Sequence, residues 1–150
     1  MCFSAEASFI AGGILSIAGI VTLAKTQNPS YRAVIKGDTG HVETVEVVYD
    51  SSEISYESLA KLFFEIHDST QKNGQGPDIG SQYLSVVFYE NEEEKRTSEK
   101  LIEILKAKGY AVATTLKPSS PFYAAEKFHQ DYYERTGKTP YCHVYKKIFD

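Results

Sequence analysis

Cysteine is scarce in this chain of 150 residues: Cys2 and Cys142 are the whole supply. Two thiols so far apart exclude a structural zinc site. No disulfide framework is needed either, because a chain of this length buries roughly two thirds of its unfolded surface. The pair suits a reducing compartment and could serve catalysis. A basic cluster is also missing. Lys and Arg number 16 against 20 Asp and Glu, the net charge is -4, and the two signs interleave. That excludes the electrostatic footprint of a nucleic-acid protein. Glu6 stands where a secretory leader would carry its cations, which argues against a signal peptide. Internal repeats and low-complexity tracts are absent as well.

Charge is missing altogether from Ala7 to Ala24, ASFIAGGILSIAGIVTLA. This apolar run sits at the lower length limit for a membrane span. Gly12, Gly13 and Gly19 are poor in a soluble helix but tolerated in a membrane one. The run reads as a helix, either buried in a soluble domain or crossing a membrane. Localisation follows the same fork: cytoplasmic, or anchored through residues 7–24.

What remains reads as alternating strand and helix. Glu43 to Tyr49 is a Val-rich strand. Ser55 is an N-cap for a helix from Tyr56 to about His67, with Leu59, Leu62, Phe63 and Ile66 on one face. A polar loop from Asp68 to Gln82 carries Gly74, Gly76, Pro77 and Gly80, and loops of this length are usually functional or disordered. Tyr83 to Tyr89 is a strand. Asn91 and Glu94 form a capping box for a charged helix ending at Gly109. Tyr110 to Leu116 is a strand, Ala124 to about Glu134 a last helix, and Cys142 to Ile148 a terminal strand or tail. The order implies an α+β fold: a two-layer α/β sandwich with helices packed on a mixed sheet. It occupies residues 27–150, after an apolar segment over 1–26. Most of the 11 Tyr and 8 Phe read as core-edge residues.

Two clusters carry chemistry. In NPSYRAVIKGDTGHVETVEVVYD, Tyr31 and Glu43 flank a Gly-rich turn that runs into the strand. In GQGPDIGSQY, Asp78 and Tyr83 recur in a similar setting. A carboxylic acid and a phenol held close together can bind and protonate a polar oxygen. Plainer roles exist: Glu43 as a solvated residue at a strand start, Asp78 as an Asx turn in a Gly-rich loop.

The segments NPSY, GDTGHVE, VVYD, ISYESL, FFEIHDSTQ, NGQGPDIGSQY, SVVFY, PFYAAEKFHQDYY and PYC occur in one order over roughly four fifths of the chain. In this the chain resembles peptide-methionine (S)-S-oxide reductase, the A-type methionine sulfoxide reductase, from residue 28 to about 146. The resemblance implies a ferredoxin-like sandwich and reduction of methionine-S-sulfoxide, free or in proteins, by thiol chemistry with thioredoxin as reductant and no cofactor. It implies Glu43 as the proton donor, kept neutral by an apolar setting. Tyr31 and Tyr83 then hydrogen-bond the sulfoxide oxygen, and Asp78 organises the same pocket. His129 and Gln130 match family positions too but stay outside the catalytic set.

At the front, Cys2-Phe3 matches the family's nucleophile and the first aromatic of its methyl pocket, while Ser4 stands where the family has tryptophan. A thiol at a helix N-terminus is activated by the helix end. The family's first strand has no counterpart ahead of Cys2. MCFSAEASFIAGG also resembles the start of small uncharacterised bacterial membrane proteins. The alternative is therefore a truncated, catalytically inactive reductase-like module, tethered to a membrane through 7–24. Cys142 matches a position that in some members resolves the sulfenic acid as a disulfide and in others does not. Further departures are Ser69 for proline, and Gly74 and Leu84 where arginines are usual; losing those cations implies a softer loop.

Overall fold

The structure is a computed structural model that describes the backbone of residues 15–22 and residues 40–138 and 144–150. Cys2, Phe3, Tyr31 and Cys142 lie outside the described residues.

Strand β1 (Leu15–Thr22) lies at the centre of a three-stranded antiparallel sheet, between β2 (His41–Val48) and β7 (Phe122–Ala124). It pairs with β2 along its whole length, Leu15 opposite Val48 through Thr22 opposite His41. The helix expected over 7–24 is thus corrected at 15–22. Ile17, Ile20, Val21 and Thr22 are β-branched and favour extended backbone. A strand at the middle of a sheet also reads as one uncharged apolar run, and periodicity alone cannot separate it from a buried helix. Among the described residues, no helix is long and apolar enough to cross a membrane.

Helix α1 (Tyr56–Ile66) starts where the sequence places it, with the Ser55 hydroxyl accepting the Ser58 amide at 3.2 Å. Its most buried residues are Ala60 and Phe64, while Leu59, Leu62, Phe63 and Ile66 are only half-buried. The apolar face is turned by one position, because Phe64 is the side chain that meets α2 (Glu92–Ala107). Phe64, Leu101 and Leu105 are fully buried there with Ala60, Ile102 and Phe149. A polar pair within this contact is satisfied, Tyr56 Oη lying 2.8 Å from Ser98 Oγ. Asn91 caps α2 by accepting the amides of Glu93 and Glu94 at 3.0 Å each. Glu94 reaches back to the Glu90 amide, one residue beyond the expected box.

The segment after α1 holds a small hairpin, β3 (Gly74–Gln75) and β4 (Asp78–Ile79), turned by Gly76 and Pro77. Polar side chains tie it down. Asp68 accepts the amide and hydroxyl of Thr70, and Gln71 accepts the Gly76 amide at 2.7 Å. Gly74 shows why no arginine is accommodated in this conformation: a Cβ there would lie 2.1 Å from the Asp78 carbonyl oxygen.

Strand β5 (Val86–Tyr89) runs parallel to β6 (Thr115–Pro118), with α2 as the crossover. Both strands are shorter than expected. Ser81–Tyr83 forms a 3-10 turn, and residues 110–114 are held off the ladder because the Ala113 amide donates to Ser69 O at 2.7 Å. The expected last helix also shifts. Residues 122–124 join the sheet, and helix α3 is only Tyr132–Thr136, because Asp131 adopts a left-handed conformation. Residues 144–150 form no strand but are strapped to α1. Glu65 O accepts the Lys146 amide at 2.7 Å, and the buried Glu65 carboxylate accepts the Ile148 and Phe149 amides at 2.8 and 2.9 Å.

Candidate active site

Strand β2 places its residues alternately on the two faces of the sheet. Val42 is buried on one face, and Glu43, half-buried, lies on the other, opposite Ile20 of β1. Against β2 packs the 3-10 turn Ser81–Tyr83, and behind it the hairpin carrying Asp78. Glu43, Asp78 and Tyr83 therefore converge from three elements. The Asp78 charge raises the Glu43 pKa, and both carboxylates raise that of the Tyr83 phenol. Tyr31, Cys2, Phe3 and Cys142 are outside the described residues, so the described part of the expected site is Glu43, Asp78 and Tyr83.

Burial is the main reason the Glu43 carboxyl is pushed up to about 7, with the neighbouring Asp78 charge adding to it. At neutral pH a large share of Glu43 is then a neutral acid, able to donate a proton. Tyr83 is held above the ordinary phenol range first by burial, then by the Glu43 charge, while its hydrogen bond with Gln82 opposes the shift. It remains a donor throughout the neutral range. A neutral carboxylic acid and a nearby phenol can form a donor pair for an oxygen that gains charge and a proton as a bond to it breaks.

Backbone geometry holds the turn in place. The Tyr83 amide donates to Gly80 O at 3.1 Å, and the Gly80 amide to Asn73 O at 2.9 Å. Gly80 has φ of 150°, and a Cβ there would lie 2.4 Å from Gln82 Oε1. Glycine is thus required for the buried Gln82 carboxamide to fold back over the turn. Gln82 is the residue that sequence reasoning passed over; the only available signal was its place inside GSQY. His129 is buried, with its Nε2 3.9 Å from Glu126 Oε2. Burial lowers its pKa and the Glu126 charge opposes that, so the ring favours its neutral form.

Comparison with known proteins gives a consistent result. The profile of the family described as "Peptide methionine sulfoxide reductase" matches residues 2–149. A protein named peptide methionine sulfoxide reductase MsrA, from Nautilia profundicola, is 49% identical over 115 residues, 77% of this chain and 66% of that relative's length. Among solved structures, Mxr1 of Saccharomyces cerevisiae in its reduced form is 32% identical with a TM-score of 0.78, covering 87% of this chain and 77% of that one. Mxr1 in complex with Trx2 is similar in fold, with a TM-score of 0.53 at 22% identity over 87% of this chain and 70% of that one.

Proposed function

From the premise that the chain belongs to the peptide methionine sulfoxide reductase family, we propose that it reduces the S epimer of methionine sulfoxide, free or in proteins, with Cys2 as nucleophile. The Cys2 thiolate attacks the sulfoxide sulfur. The S–O bond breaks as Glu43 supplies a proton, so the oxygen leaves as hydroxide and Cys2 stays joined to the substrate sulfur as a sulfonium. That hydroxide attacks the Cys2 sulfur, the S–S bond breaks, methionine leaves, and Cys2 is left as a sulfenic acid. Tyr83 and Tyr31 hydrogen-bond the oxygen while its charge grows. Phe3 stands beside Cys2 in sequence and supplies an apolar wall for the substrate methyl group. A second thiol condenses with the sulfenic acid, releasing water and forming a disulfide, which a dithiol of the thioredoxin class reduces. Cys142 is the internal candidate for that second thiol. Two cysteines kept as thiols fit a reducing compartment such as the cytoplasm.

The observation that carries this reading is the half-buried Glu43, held up to about 7 and flanked by Asp78 and Tyr83. Such an acid suits the departure of a sulfoxide oxygen, and an ordinary surface glutamate does not. The test is turnover of methionine-S-sulfoxide against its R epimer with dithiothreitol as reductant. The expected result is reduction of the S epimer alone, abolished by Cys2→Ser. Folded protein that reduces neither epimer would refute it.

The rival is a module that binds sulfoxide without turning it over, tethered or free. It draws on Ser4, which stands where the family carries tryptophan and leaves the methyl pocket one aromatic short. It predicts saturable binding of methionine-S-sulfoxide with no product, and recovery of the tethered form in the membrane fraction.

A further inference from the structure

The end of helix α1 is connected to the site by side chains that the reaction itself does not use. His67 is the C-cap residue of α1, extended at φ -137° and ψ 166°. Its Nδ1 is bonded to Phe63 O, one of the last-turn carbonyls that a helix end leaves short of amide partners. A carbonyl only accepts, so Nδ1 carries the hydrogen. In the neutral ring Nε2 is then an acceptor, and it faces Ser85 Oγ at 2.8 Å. With its proton given to the ring, Ser85 Oγ accepts from Thr114 Oγ1 at 2.7 Å. Ser85 and Thr114 are both buried. Ser85 also takes the Thr115 amide on its carbonyl at 3.1 Å, where β5 and β6 begin to pair. The ring thus joins a helix terminus to the backbone two residues beyond Tyr83.

The next residue grips the other arm. The Asp68 amide donates to Gln75 Oε1 at 3.0 Å, and Gln75 Nε2 donates back to Asp68 O at 3.4 Å. Gln75 pairs with Asp78 across the hairpin. Adjacent residues at one helix end therefore hold both approaches to the site: the hairpin bearing Asp78 and the turn bearing Tyr83.

We propose that His67 is a positioning residue for sulfoxide reduction: through Ser85 it fixes the turn that presents Tyr83 beside Glu43, and its neighbour Asp68 fixes, through Gln75, the hairpin that presents Asp78. The proposal rests on the reading of this site as the oxygen-binding side of a reductase. Donors aimed at a developing charge act only when held in place beforehand, and a small misplacement is costly.

The test is a double-mutant cycle in the full-length protein, with folding of each variant checked by its melting transition. Ser85→Ala and His67→Ala each lower kcat about tenfold, with KM within about twofold, as expected when an interaction specific to the transition state is misaligned. His67→Gln restores most of the rate, because its carboxamide tip reaches the position of Nε2. In a Tyr83→Phe background, Ser85→Ala costs less than about twofold, because the losses pass through the same phenol. Losses that multiply in that background would overturn the proposal, as would an unchanged kcat in Ser85→Ala. If Ser85→Ala fails to fold, His67→Gln and His67→Ala carry the cycle alone. A second readout needs no turnover: titration of a ¹³C-labelled Tyr83 phenol followed by NMR. Its pKa, raised in the parent protein, moves toward the ordinary value in His67→Ala and stays raised in His67→Gln. An unmoved titration in His67→Ala overturns the positioning role even if the protein reduces nothing. Absence of turnover in the parent refutes the reductase reading and leaves the phenol titration to decide.

Discussion

The charge of Asp78 reinforces the proton on Glu43. Burial supplies the larger part of the effect, and a carboxylate on the facing hairpin adds to it, so that Glu43 is held up to about 7. The two acids have divided roles: one holds a proton, the other helps keep it there.

The rate should therefore follow the protonated fraction of Glu43. The limb of the pH profile that reports the general acid falls as pH rises through about 7. Glu43→Gln removes this limb and lowers kcat by roughly 10²-fold, the usual scale for loss of a positioned acid. Initial rates from pH 5 to 9 for both proteins check it; identical profiles would remove Glu43 from the mechanism.

Stability should respond in the same direction. The folded-state value of Glu43 lies above the ordinary one, so ionising it costs more in the native protein than in the unfolded chain. The stabilisation from its proton is fully present below the ordinary glutamate range and is lost as pH rises through about 7. Glu43→Gln should therefore gain on the parent protein above neutrality, by up to about 3 kcal/mol, and show no advantage from this source at pH 4. Urea unfolding at the two pH values measures the difference.

Phe64→Ala should be the most damaging single truncation of the helical core. Phe64 is fully buried against Leu101, Leu105 and Phe149, and its removal costs about 3–5 kcal/mol. The midpoint of chemical denaturation reports it, with Phe63→Ala, at a half-buried position, costing less.

Glu65→Ala should release the C-terminal strap. Two backbone amides lose their acceptor, at about 1–3 kcal/mol for each one left buried and unsatisfied. Hydrogen exchange at Ile148 and Phe149 should accelerate in this variant, while Glu65→Gln, which keeps Oε1, should protect them nearly as well as the parent.

Local signals in the sequence located the two long helices. Ser55 and Asn91 announce their starts through short-range hydrogen bonds that depend on few neighbours. The strands were harder to place, because their limits depend on distant partners. Nothing near Tyr110 reveals that the Ala113 amide goes to Ser69, which delays β6 to Thr115. The run containing β1 was misread for a related reason: an uncharged segment fits a central strand as well as a buried helix, and only the pairing with β2 and β7 decides between them. For the candidate site, the motifs single out Glu43, Asp78 and Tyr83, and the structure brings those three near one another. Gln82 and His67 were not singled out, since their importance lies in which backbone and hydroxyl groups they meet.

The strap at Glu65 also bears on how the protein is made. Its carboxylate waits for amides 83 and 84 positions further along the chain. At 5–20 residues per second, synthesis takes roughly 4 to 17 seconds to cover that distance. During that interval the aromatic face around Phe64 lacks Phe149, even once α2, Val87 and Leu116 are in place. A nascent chain that stalls in this window presents a sticky helix surface to whatever is nearby, and a chaperone that shields α1 until Phe149 arrives would raise the yield of folded protein more than one acting afterwards.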